Sequence, residues 1–302
     1  MSTEVTALVP TLRLGTRRSR LALAQAELAA DALGPIISRF SIVPIATTGD
    51  AISARMPHGS WLETDGQFTH DIERALLDGR IDVAVHSYKD LPTAQGEGLV
   101  VGAVLQRADA RDCLVTRDGG RMQDLPFGAR VGTSSPRRAA QLRAVRSDLV
   151  ATPIRGNVET RLRRLAEGEF EAVLLAAAGL DRLGISVPDH ARLPFDVCLP
   201  APAQGAIALQ VRADDDDLIA RLAAVDHRPT RIAVETERRL LRRIGGGCLA
   251  PLGALAEVDD TALRLRAAYD RGDGRFVRAD ATGDADAADD VIERVAHEVL
   301  SA

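Results

Sequence analysis

Ile81-Asp82-Val83-Ala84-Val85-His86-Ser87-Tyr88-Lys89-Asp90-Leu91-Pro92 reads as an apolar strand that ends in a polar cluster and is stopped by a proline. In an α/β protein, the carboxyl end of such a strand is where a ligand site forms. Outward from it, short apolar runs alternate with helical patterns. Strands are predicted at residues 12–16, 40–46, 81–86, 99–105, 112–116, 130–132, 149–153, 172–176 and 206–211. Amphipathic stretches such as residues 19–32 and 72–77 lie between several of them. This alternation predicts an α/β fold with mainly parallel sheets.

The pattern changes near residue 213. Asp214 to Asp217 precede a helix, and acidic residues in that position are favoured by the helix dipole. A second helix is predicted over residues 229–243. Three alternating segments follow (250–258, 262–269, 275–281), then a closing helix at about 286–300. These describe a small α+β unit, a three-stranded antiparallel sheet with helices on one face.

The 302 residues suggest two or three domains at roughly 100–200 residues each. No run approaches the roughly 18–20 apolar residues of a membrane span. The start, Met-Ser-Thr-Glu-Val, lacks the charged and apolar regions of a secretory signal, so a cytoplasmic protein is expected. Cys113, Cys198 and Cys248 are odd in number and far apart, which argues against a disulfide framework or a CxxC metal site; no metal is expected. Lys89 is the single lysine among 38 basic residues. A GC-rich genome explains the bias towards arginine, but not why one lysine persists at a strand end.

The net charge of −5 conceals a local reversal. Residues 130–164 contain nine arginines against Asp148 and Glu159. Arg143, Arg146, Arg163 and Arg164 read as a solvated helix face. Others sit at strand-to-helix turns: Thr133-Ser134-Ser135-Pro136-Arg137-Arg138, Arg155-Gly156-Asn157 with Arg161 one turn later, and Thr16-Arg17-Arg18-Ser19. Such turns offer free backbone N–H groups beside guanidiniums that bind carboxylate or phosphate in bidentate fashion. Three of them suggest a ligand with several anionic groups. Nucleic acid is disfavoured, because the basic stretch has no aromatic residue for stacking and the chain is acidic overall.

Asp90 is placed to stabilise positive charge on a substrate nitrogen or to move a proton. His86 reads as a structural hydrogen bond at the strand end. Cys248, after Gly245-Gly246-Gly247 and near Arg242 and Arg243, is the candidate attachment cysteine.

Six ordered motifs together resemble the porphobilinogen deaminase (hydroxymethylbilane synthase) family. They are residues 15–25 (GTRRSRLALAQ), 84–92 (AVHSYKDLP), 131–138 (VGTSSPRR), 155–161 (RGNVETR), 177–184 (AAGLDRLG) and 246–248 (GGC). The resemblance implies two domains like type II periplasmic binding proteins and a third that carries the cofactor cysteine. Their expected extents are residues 9–105 with 205–224, then 110–200, then 228–302. It implies a transferase that joins four porphobilinogen molecules head to tail into hydroxymethylbilane in tetrapyrrole and haem biosynthesis, releasing four ammonia. A dipyrromethane cofactor, held by a thioether to Cys248, primes the chain. Every pyrrole carries an acetate and a propionate, which would account for the arginines. Carried over by position, Asp90 is the catalytic residue. Arg17, Ser19, Gln25, Phe68, Lys89, Thr133, Ser134, Ser135, Arg137, Arg138, Arg155, Gly156, Arg161, Arg182 and Gln204 are the substrate- and cofactor-binding residues. Members are usually monomeric, with no nucleic acid or membrane partner.

The chain departs from the family pattern at Thr64-Asp65-Gly66-Gln67-Phe68, where Gly-Lys-Gly-Leu-Phe is usual, and at Tyr88, Pro136 and Ala203. A non-catalytic small-anion-binding protein and an inactive homologue of the same fold remain the alternatives.

Overall fold

The computed structural model describes residues 11–47, 69–247, 250–273 and 275–301. Phe68, the rest of the loop from Thr64, and Cys248 lie outside the described residues.

The first sheet has the order β2-β1-β3-β9-β4, from β1 (Leu12–Arg17), β2 (Phe40–Ile45), β3 (Val83–Ser87), β4 (Leu99–Val104) and β9 (Ile207–Arg212). The second has the order β5-β8-β6-β7, from β5 (Asp112–Thr116), β6 (Arg130–Gly132), β7 (Val150–Thr152) and β8 (Ala172–Ala176). β10 (Leu252–Asp259), β11 (Ala262–Asp270) and β12 (Phe276–Asp284) form an antiparallel meander. Helices Arg228–Arg243 and Ala288–Ser301 pack on it and share its core of Leu240, Leu252, Leu263, Leu265, Val291, Val295 and Val299. The α/β halves and the α+β unit are as expected.

The two larger sheets are mainly parallel, as expected, with one exception in each. Each larger sheet contains a strand that runs against its neighbours: β9 between β3 and β4, and β5 beside β8. β9 returns from the other half of the molecule, not through a local βαβ crossover, so the constraint that aligns consecutive strands does not act on it. β9 is buried along almost its whole length, which explains why its sequence, Ile-Ala-Leu-Gln-Val, carries little polar alternation.

The remaining strands of each sheet share one direction, and their carboxyl ends deliver the turns of interest. β1 leads into Ser19, whose hydroxyl accepts from Ala22 N at 3.3 Å and caps helix Arg20–Leu33. β6 leads through Thr133–Ser135 into helix Pro136–Val145, and β7 through Arg155–Asn157 into helix Val158–Ala166. Ser135 and Asn157 cap these two helices.

Two chain segments pass between the sheets side by side, with Ala108 N donating to Gly205 O at 3.2 Å. The fully buried carboxylate of Glu237 ties them to the third unit. It accepts from Arg107 Nη1 at 2.6 Å, Ala203 N at 2.7 Å and Ala256 N at 2.8 Å. Ala203 has φ +62°, in the region that favours glycine, at the position where the resemblance expects one.

Candidate functional site

β3 ends in a single 3-10 turn, Tyr88–Asp90, which orients Lys89 and Asp90. Arg238 fixes this turn from outside. Its guanidinium stacks 4.4 Å from the centroid of the Tyr88 ring and donates to Tyr88 O at 3.1 Å and Leu91 O at 2.8 Å. Beneath the turn, Lys89 Nζ donates to Gln204 Oε1 at 3.2 Å. Burial pulls the Lys89 ammonium down to about 8; Arg138 and Arg137 push it the same way, while Asp90 and Asp112 oppose them.

His86 is buried on the same strand, its Nε2 3.1 Å from Gln210 Oε1. Gln210 Nε2 donates onward to Glu73 at 3.0 Å, which leaves its oxygen to face the imidazole. Burial holds the His86 pKa near 4, so the ring is neutral at pH 7. Gln25, also buried, exchanges a hydrogen bond with Ser87 at 2.9 Å.

The arginine turns close over this strand end. Asp112, at the start of β5 and fully buried, accepts from Arg137 Nη1 at 2.7 Å and from Arg138 Nη2 at 2.6 Å. Gln204 Nε2 reaches the same carboxylate at 2.9 Å. The two guanidiniums hold the Asp112 carboxyl far below the usual range despite its burial. Arg161 donates through Nε to Gly156 O at 2.9 Å. Burial lowers its pKa to about 10, reinforced by Arg138 and Arg155 and opposed by Asp90. Lys89, Arg137, Arg138, Arg155 and Arg161 therefore share one field with Asp90 and Asp112. That excess of positive charge, partly out of water, is built to take anions.

Two clefts flank the Lys89–Asp90 turn. The first, about 430 Å³ and partly open to solvent, is lined by Lys89, Thr93, Ser135, Arg137, Arg238 and Gly247 among others. Ala250 also lines it, so the residues on either side of the 248–249 segment border this cleft. Gly245 has φ +73°, and a Cβ on Gly246 would meet Ala250 Cβ at 2.6 Å. Only glycine lets the chain fold back there. The second cleft, about 440 Å³, is lined by Thr16, Arg17, Ser19, Gln25, His86, Ser87 and Asp90 among others.

Against this geometry, comparison with known proteins is decisive. Residues 12–220 match the model of the porphobilinogen deaminase dipyromethane cofactor binding domain, and residues 231–301 that of the porphobilinogen deaminase C-terminal domain. The chain belongs to the porphobilinogen deaminase family. It is 49% identical to the porphobilinogen deaminase of Desulforudis audaxviator over 276 residues, covering 90% of this chain and 89% of that one. It is 47% identical to that of Acidothermus cellulolyticus over 298 residues, covering 96% and 89%. Among solved structures it is similar to the periplasmic VFT2 domain of Bordetella pertussis BvgS, at TM-score 0.40 and 14% identity, covering 72% of this chain and 87% of that one.

The deaminase family's dipyrromethane fits what this chain offers. Arg137 lines the first cleft, and its buried Nε has no hydrogen-bond partner among the described residues, as suits a donor kept for a ligand carboxylate. Lys89, Ser135 and Thr93 line the same cleft with further donors.

Not every residue named from the deaminase motifs faces a cleft. Ser134 Oγ donates to Ile154 O at 2.8 Å and accepts from Ile154 N at 3.0 Å, so it stitches the two arginine turns together. Thr133 is buried and accepts from Ser135 N at 3.2 Å. Gly156 lies exposed at the start of its helix. Gln204 is fully buried beneath Lys89. Arg182 donates to Gly205 O at 2.6 Å and lines neither cleft.

Of the four arginines read as a solvated face, Arg143 and Arg163 are exposed as expected, whereas the half-buried Arg146 and the buried Arg164 need correction. Arg143 pairs with Asp270, Arg146 with Asp148, Arg163 with Glu167, and Arg164 with Glu169. Arg164 is buried against Phe170. Arg243 pairs with Glu293 on the closing helix at 2.7 Å. The sequence reading missed Asp112, Arg238, Thr93 and Ser87. Asp112 opens a predicted strand where an acid is unusual, which was a usable signal; Arg238 lies in an arginine-rich helix that marks none of its members.

Proposed function

We propose that this protein joins four porphobilinogen molecules head to tail into hydroxymethylbilane, releasing four ammonia, on a dipyrromethane held through a thioether to Cys248. One observation carries this reading. The turn bearing Lys89 and Asp90 stands between two donor-rich clefts, and the residues that flank Cys248 border one of them.

When bound, the dipyrromethane would supply the free pyrrole carbon that takes up the first aminomethyl carbon, each added ring then offering its own free carbon to the next, and at every addition the amine departs with the displaced hydrogen as ammonia. Arg137, Lys89 and Ser135 hold acetate and propionate groups in the first cleft, while Arg17 and Ser19 do so in the second. Arg138, Arg155 and Arg161 extend the same positive field between them. Asp90, exposed at the rim of the second cleft, accepts the N–H of the reacting pyrrole and offsets its transient positive charge. His86 stays neutral and orients the strand end instead of carrying a proton. The Cys248 sulfur acts only in attachment, not in each addition.

The working domains correspond to residues 9–105 with 205–224, 110–200 and 228–302. The protein acts as a cytoplasmic monomer, with porphobilinogen as its substrate and no nucleic-acid, membrane or metal partner. Among the described residues, no helix is long and apolar enough to cross a membrane.

Intact-protein mass spectrometry tests the reading. The purified chain is expected to be heavier by two pyrrole units, with the adduct mapped to Cys248, and Cys248→Ala should lose both adduct and turnover. An unmodified, inactive wild-type chain that still bound porphobilinogen would instead identify a non-catalytic anion-binding protein. Full activity in Cys248→Ala would remove that residue from the mechanism.

A further inference from the structure

We propose that Asp112 is a positioning residue for the reaction, a buried carboxylate that aims Arg137, Arg138 and, through Gln204, Lys89 at the ligand's acidic groups. It rests on the reading of the site given above. No motif quoted from the sequence contains Asp112, and it touches neither cleft.

Its connections go well beyond the needs of an ion pair. Oδ2 accepts from Arg137 Nη1 at 2.7 Å; Oδ1 accepts from Arg138 Nη2 at 2.6 Å, Arg138 Nε at 3.2 Å and Gln204 Nε2 at 2.9 Å. Both arginines and Gln204 are themselves buried. Further bonds pin these side chains, those of Arg137 and Gln204 from the same nitrogens that reach Asp112. Arg137 Nη1 donates to Leu199 O at 2.6 Å, Arg138 Nη1 to Leu174 O at 3.0 Å, and Gln204 Nε2 to Ala110 O at 2.8 Å. The remaining oxygen of Gln204, Oε1, is thereby turned towards Lys89 Nζ.

One carboxylate thus fixes the direction of three side chains, Arg137, Arg138 and Gln204, that come from two different segments of the chain. Cys198 Sγ lies 3.5 Å from Oδ2 and completes the surroundings; its thiol is pushed up to about 12 by burial, so it remains neutral. A single negative charge against two guanidiniums leaves net positive charge beside the first cleft. The arginines are held in place but not neutralised, as preorganised donors must be.

Asp112→Glu and Asp112→Asn separate position from charge. Glu keeps the charge but moves the carboxylate by roughly one bond length. If Asp112 served stability alone, Asp112→Glu would recover wild-type behaviour once folded. If it aims the donors, folded Asp112→Glu should carry the adduct in a much smaller fraction of molecules. Its remaining loaded fraction should show a raised KM and a loss in kcat/KM of up to about a hundred-fold, the scale of an ångström of misplacement. Asp112→Asn should lose adduct more completely.

Normal adduct content and KM in folded Asp112→Glu would overturn the proposal. Should neither variant fold, the crystal structure of the loaded wild-type protein decides. Arg137 and Arg138 still bonded to Asp112 while reaching ligand carboxylates supports the proposal, and guanidiniums rotated off Asp112 onto the ligand refute it. A wild-type chain without any adduct would instead refute the functional reading on which this one rests.

Discussion

Because Lys89 is the chain's single lysine, its amine can be titrated without any mutation. Burial beneath the Tyr88–Asp90 turn, with Arg137 and Arg138 nearby, lowers its pKa from 10.5 to about 8. A shift of this size disfavours the ammonium by roughly 3 kcal/mol. At pH 8 about half of the amine would be neutral, against well under about 1% for an ordinary lysine, so its reactive fraction should be higher by about two orders of magnitude. The assay is acetylation as a function of pH, read by peptide mass spectrometry at Lys89, with the N-terminal amine as internal reference. Cys248→Ala supplies the cofactor-free form. Its labelling midpoint should lie near 8 and should rise in the loaded wild-type protein, where ligand carboxylates favour the charged amine. A midpoint above 10 in the cofactor-free form, or one unchanged by loading, would refute both the desolvation argument and the placement of Lys89 against an acidic ligand.

Asp90→Ala should leave stability within about 0.5 kcal/mol, since the side chain is exposed, and should keep the adduct. Its turnover should nevertheless fall by about 10²–10⁴-fold, and a near-normal kcat would dismiss Asp90 as the reacting centre. His86 has a folded pKa of about 4 against an unfolded 6.5, so the unfolded chain takes up its proton first as pH falls. The stability it supports is complete above 6.5 and declines towards pH 4, by up to roughly 3 kcal/mol. His86→Gln should flatten the acid limb of urea-unfolding free energy over that window; an identical limb would show that the imidazole is not held neutral. Gly156 has φ +102°, and a Cβ there would lie 2.6 Å from Thr160 Cγ2. Gly156→Ala should therefore cost about 1–3 kcal/mol in urea unfolding and raise KM by displacing Arg155 and Arg161, whereas an unchanged midpoint would mean the turn relaxes freely.

Much of the molecule was legible in its sequence, because the relevant interactions are local. The capping residues Ser19, Ser135 and Asn157 announce their helices, since a side-chain oxygen three residues from an orphan N–H needs no tertiary partner. The alternation over residues 250–281 gives the antiparallel meander, and the polar end of β3 marks the site. What belongs to the tertiary structure alone is pairing across large separations. The direction of β9 depends on its return from the other half of the chain. Asp112 meets Arg137 and Arg138 some 25 residues away, and Gln204 92 residues away. Whether an arginine is spent on a carboxylate can also follow from such distant contacts, as for Arg143 with Asp270, 127 residues away, although Arg146 finds Asp148 two residues on. Local sequence states that a guanidinium is present; only the folded chain supplies, or withholds, the carboxylate that would neutralise it.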